Sequence, residues 1–117
     1  MPDEAVRLAR GLGIRRPEEL RLEVVRRIPL PIPDSMADAA RAAGFPVMKP
    51  SAMCLGRGIS TTSLDFRLLR HELIHTLQYQ NLGGHRPFMR QYLFECLTYG
   101  YDAAPMEIEA RERAQGA

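Results

Sequence analysis

The residues best suited to chemistry in this chain lie in Arg70-His71-Glu72-Leu73-Ile74-His75-Thr76, a run centred on His-Glu-x-x-His. On an α-helix, residues four apart are separated by only about 40° around the axis, so His71 and His75 project from one face and can grip a single metal ion. Glu72 lies about 100° further round, beside such an ion rather than on it. Two imidazoles with a neighbouring carboxylate form the arrangement of a zinc site in which the glutamate activates a bound water. The chain holds three histidines, and two of them fall at ligand spacing around a glutamate. That scarcity favours a metal site over a chance pair of partly buried histidines.

The chemistry requires a helix, and the flanking residues supply one. Residues 64–82 contain no Pro or Gly, and Gly83-Gly84 follow as a stop signal. Thr62 or Ser63 can cap the start, and Asp65 falls in the first turn, where the helix dipole favours negative charge. Leu64, Leu68 and Leu82 share the histidine face. Phe66, Leu69, Leu73 and Leu77 lie opposite, with Arg67, Arg70 and Asn81 on one flank between them. A helix apolar on two opposite sides belongs between layers, so this one is expected at the centre of the fold.

At 117 residues the chain is one domain, with room for a modest core. It is 45% apolar and 26% charged, and a net charge of +2 is too small to argue for nucleic acid as a partner. No apolar run approaches the roughly 20 residues of a membrane span. The first residues lack the basic-then-apolar order of a secretory signal, so a cytoplasmic location is expected. Cys54 and Cys96 are read as thiols in that setting, Cys54 as a structural one before a metal ligand or redox switch.

In chain order, residues 1–20 read as an amphipathic helix over 3–10, with Val6, Leu8 and Leu12 as its apolar side, and a further turn at Pro17-Glu18-Glu19. Residues 20–28 alternate as a half-buried strand, ended by Pro29, Pro31 and Pro33 as an extended connector. Asp34-Ser35 caps a helix over 36–43, closed by Gly44. The segments 45–49 and 52–60 read as extended. In the second, Gly56 and Gly58 mark a turn or bulge, and a free strand edge there can pair with an extended peptide. A helix over 85–99 places Phe88, Tyr92, Glu95 and Tyr99 on one side and Leu93, Cys96 and Leu97 on the more apolar core side. Pro105 opens a last helix to residue 113. The fold class is α+β: two or three short strands packed on about four helices, with the histidine helix central.

A zinc ion held by two histidines needs a third protein ligand and an open position for water. His85, Cys54, Cys96 and several carboxylates compete, foremost Glu107, Glu95 and Glu109. Ala103 and Ala110 beside Glu107 would let its helix approach closely. At this point the residues resemble a known pattern. His71-Glu72-Leu73-Ile74-His75 followed by Glu107-Ile108-Glu109-Ala110-Arg111 looks like the gluzincin arrangement of zinc metallopeptidases, in which a glutamate on a downstream helix is the third ligand. The compactness is similar to the minigluzincins, small soluble relatives of the catalytic domains of integral-membrane gluzincins. Gln78-Tyr79 and Pro105 also match small bacterial domains of this look. The resemblance covers residues 50–113 and implies a zincin-like domain in which His71, His75 and Glu107 bind Zn2+ and Glu72 is the general base and acid. One position departs from it. Where the membrane relatives carry an Asp that steadies a ligand histidine, this chain has Arg111, which leaves Asp102, Glu109 or a backbone carbonyl to take that role.

The function so implied is hydrolysis of peptide bonds in a peptide or protein substrate. Tyr101, Tyr99 and His85 are the available donors for a developing oxyanion. Two other classes fit parts of the sequence: a zinc-binding regulatory or protein-interaction domain with little catalysis, and a metal-free helical interaction domain.

Overall fold

The computed structural model describes residues 1–26, 42 and 52–115. Over these residues the chain forms α1 (Asp3–Gly11), β1 (Arg21–Val24), β2 (Ala52–Leu55), β3 (Gly58–Thr61), α2 (Phe66–Leu82), α3 (His85–Tyr99) and α4 (Pro105–Gln115), with a 3-10 turn at Pro17–Glu19. The architecture is α+β, four helices with one three-stranded sheet, as expected. The connector at Pro29, Pro31 and Pro33, the helix expected over 36–43 (Ala42 apart) and the extended segment 45–49 lie outside the described residues. Among the described residues no helix is long and apolar enough to cross a membrane.

The sheet has the order β1-β3-β2. β2 and β3 form an antiparallel hairpin in which Leu55 faces Gly58, and Gly56 in the turn between them has φ 62. That left-handed backbone suits glycine, which explains why the turn falls there. β1 joins β3 in parallel, Leu22 opposite Ile59. β1 is shorter than the strand expected over 20–28: its last bond runs from Val25 N to Thr61 O, because β3 stops there and turns into α2.

The layers meet on α2. Leu69, Leu73 and Leu77 face a core of Ala5, Ala9, Ile14, Leu20 and Ile59, which brings α1 and the sheet onto one side of the helix. In α1 the buried positions are Ala5 and Ala9, with Leu8 and Leu12 only partly buried, because small side chains let that helix lie close. Phe66, Leu64 and Leu82, expected in apolar faces of α2, are exposed at or just before its two ends. The helix is capped by Asp65 rather than Thr62 or Ser63: Oδ1 of Asp65 accepts from Arg67 N at 2.8 Å and Leu68 N at 3.2 Å. Gly83, at φ 94, ends it and reverses the chain into α3.

α3 packs the opposite way from the expectation. Phe88, Tyr92 and Glu95 face inward, and Leu93 and Leu97 are exposed; of the side expected in the core only Cys96 is buried. The reason is polar satisfaction. Glu95 is buried because Oε1 accepts from Met106 N at 2.7 Å, an unpaired amide in the first turn of α4, and Oε2 accepts from Gln91 at 2.8 Å. Partnered in this way, the aromatic and carboxylate stripe can be enclosed where the leucine stripe is not. α4 then lies antiparallel along α2 with Ala104, Ala110 and Ala114 buried; Ala103, expected in this contact, is exposed.

Two substitutions check this account. Leu73 is fully buried at the meeting of three layers, so Leu73→Ala should cost about 2–5 kcal/mol by chemical denaturation. Asp65→Ala removes one cap and should cost only about 1 kcal/mol.

Candidate metal centre

α2 and α4 bring together three of the residues expected from the sequence. His71 Nε2 lies 3.2 Å and His75 Nε2 3.0 Å from Oε1 of Glu107. These donor atoms all lie within 4.8 Å of one another, the one such cluster of metal-binding side chains among the described residues. Ligand atoms about 2.0–2.1 Å from a tetrahedral ion sit roughly 3.3 Å apart, so the observed spacing fits an ion held among them. His75 and Glu107 are buried, and His71 is partly open to solvent on one side.

The hydrogen bonding around His75 sharpens that fit. His75 Nδ1 lies 2.8 Å from Oε1 of Gln78. The Gln78 amide is oriented by two acceptors, because its Nε2 donates to Met106 O at 3.0 Å and to Glu109 Oε1 at 2.7 Å. The atom facing His75 is therefore a carbonyl oxygen, and Nδ1 must carry the hydrogen. In a neutral ring this leaves the Nε2 lone pair pointing at a carboxylate oxygen. That contact is repulsive unless a positive charge lies between them, either a second ring proton or a metal ion. The electrostatics of the metal-free site express the same demand. Burial would lower the His75 pKa, but the hydrogen bond and charge of Glu107, with the charge of Glu72, raise it above 6.5. Burial would raise the Glu107 pKa, but hydrogen bonds from His71, His75 and Tyr92 hold it well below the usual carboxylate range. Tyr92 supplies the remaining restraint, donating to Glu107 Oε2 at 2.6 Å and leaving Oε1 to the two rings.

Glu72 occupies a different environment. It is buried, and among the described residues no donor bonds its carboxylate. Burial raises its pKa, with the charges of His75 and His71 opposing and that of Glu107 adding.

The other candidates take other places. Glu95 caps α4 and is not in the cluster; its bond to Met106 N sets the register of the residue that follows, Glu107. Glu109 steadies Gln78 rather than meeting the histidines. Tyr101 is partly buried; burial first, then the charges of Glu107 and Glu72, raise its pKa. Tyr99 is 55% exposed at the end of α3, and His85 stacks on Tyr79 at 5.8 Å, away from the cluster. Asp102 offers only its carbonyl, to Arg111. Cys54 Sγ lies 3.2 Å from Thr76 Oγ1, and burial pushes its pKa to about 12, so it stays a thiol outside the cluster. Cys96 is likewise a free thiol.

Gln78 and Tyr92 were not singled out from the sequence as site residues. Gln78 stands three residues after His75, a helical neighbour spacing. Tyr92 shares a stripe with Phe88 and Glu95, which marks it as inward-facing only once that stripe is seen to be buried. Compared with known proteins, the chain matches no family model, no curated protein and no solved structure.

Two outcomes follow for the protein in solution. In chelator, His75 stabilises the fold below its ordinary pKa of 6.5, and that contribution is lost as pH rises through the higher folded value. Glu107 works in the other sense: its contribution is present above 4.5 and is lost only well below it. Thermal melts of the metal-free protein should therefore show greatest stability between these limits and a decline on the alkaline side. Added Zn2+ should reverse that decline, because metal replaces the ring proton. Gln78→Leu removes the acceptor at Nδ1 and should weaken Zn2+ binding by about 10–100-fold in competition titrations.

Proposed function

We propose that this chain is a zinc-dependent metallopeptidase-like domain of the gluzincin type, with His71, His75 and Glu107 as metal ligands and Glu72 as general base and acid. The observation that carries the reading is the contact between His75 Nε2 and the Glu107 carboxylate, which calls for a positive charge, a ring proton or a metal ion, at the point where a second imidazole also converges. When bound, a divalent ion supplies Lewis acidity, polarising a carbonyl and making a water molecule acidic near neutral pH. Zinc suits the donor set of two nitrogens and one carboxylate.

The chain's own groups account for the rest of the chemistry. Glu72, buried, without a hydrogen-bond donor among the described residues and raised in pKa, accepts a proton from the attacking water and returns it to the leaving amine. Gln78 holds His75 in the tautomer that presents Nε2, the role expected of a carboxylate at the position of Arg111. Tyr101, whose hydroxyl feels the charges of both Glu107 and Glu72, is the donor for the oxyanion. An extended peptide can lie along β2, an edge strand of the sheet among the described residues, which packs on α2 at Thr76 through Cys54.

Glu72→Gln should retain stoichiometric Zn2+ by elemental analysis of untagged protein while hydrolysis of a mixed peptide library falls by at least about 10²-fold. His71→Ala should lose the metal and the activity together. Library cleavage by Glu72→Gln at the native rate, or metal retained at full stoichiometry by His71→Ala, would overturn the assignment. Stoichiometric metal without cleavage by the native protein would instead favour a regulatory zinc domain.

A further inference from the structure

An open cleft of about 430 Å³ adjoins the exposed side of His71, and its walls include Arg67, Arg111, Thr62, Ser63 and Gln115. The two arginines are placed there by helix geometry. Arg67 precedes His71 by four residues on α2, and Arg111 follows Glu107 by four on α4, so each stands one turn from a metal-site residue on the same face. The two helices are antiparallel, with Arg70 Nη1 meeting Ala114 O and His71 meeting Glu107. Both guanidinium groups are thereby carried to the same end of the helix pair.

Among the described residues neither arginine is in an ion pair. The Arg67 side chain has no partner among the described residues. Arg111 donates from Nη2 to the carbonyl of Asp102, a neutral acceptor that orients the fork and leaves its charge available. Asp65 also lines the cleft, but its Oδ1 is held by two backbone amides at the start of α2.

We infer that this cleft is an anion subsite in which Arg67 and Arg111 receive a carboxylate of the substrate, either an acidic side chain or a free C-terminus. Arginine forks match carboxylate oxygens two bonds at a time, so the pair selects for position as well as charge. Arg111 thus acquires a use at the place where the resemblance led one to expect an aspartate. The inference rests on the peptidase reading for its choice of ligand, but its test does not need turnover.

The test uses Zn2+-loaded Glu72→Gln protein and fluorescent peptides of one sequence in two matched pairs, glutamate against glutamine in the side chain and free acid against amide at the C-terminus. Anisotropy titrations should show the charged member of at least one pair binding at least about tenfold tighter, about 1.4 kcal/mol. The pair that discriminates identifies the source of the carboxylate. The ratio should collapse towards one in Arg67→Gln, an exposed position at the first turn of α2, and in Arg67→Gln/Arg111→Gln. No discrimination in either pair, including no binding of any peptide, overturns the subsite, as does a ratio unchanged by both variants. Hydrolysis of the neutral peptide by the native protein is measured separately. Discrimination without hydrolysis removes the peptidase reading and leaves the subsite standing.

Discussion

A single carboxylate oxygen faced by two imidazole nitrogens is the interaction on which the arrangement of helices turns. For Glu107 to reach both His71 and His75, α4 must lie close along α2, and the buried alanines of α4 permit that approach. Glu95 fixes where α4 begins, by bonding the amide immediately before Glu107. Tyr92 and Gln78 then orient the two sides of the contact, one at the far carboxylate oxygen and one at the far ring nitrogen. Helix register, packing and hydrogen bonding therefore converge on one point.

Burying so many polar groups is costly unless each is partnered, and the network meets that condition with one telling difference between its two acidic members. Glu107 is met by two imidazoles and the Tyr92 hydroxyl, and its pKa is driven down. Glu72 lacks such donors, and burial drives its pKa up. Two carboxylates that both interact with the same imidazoles are thus driven in opposite directions by their surroundings, Glu107 down and Glu72 up in pKa. The same logic explains α3, where a partnered glutamate faces inward while leucines remain outside.

Charge extends the pattern beyond the centre. Arg67 and Arg111 repeat the four-residue spacing of the ligands one turn further along each helix, so the open side of His71 looks onto positive charge. The network that steadies His75 runs instead through Gln78 to the backbone of Met106 and to Glu109. Arg111, at the position where the resembling pattern carries an aspartate, lines the cleft.

Much of this was legible in the order of residues, because it depends on local geometry. The spacing of His71 and His75, the stop at Gly83, the turn at Gly56 and the start of α4 at Pro105 each follow from one turn of backbone or one residue's conformational range. Even the face of α2 bearing Leu69, Leu73 and Leu77 needed only the helical period. What depended on partners distant in the chain was not legible. The inward side of α3 was set by an amide in α4, and Glu107, which only the resemblance had put ahead of Glu95 and Glu109, was brought to the histidines by the packing of α4 on α2. Periodicity says which side chains share a face; the element that covers that face, and the donors it brings, are decided by tertiary contact alone.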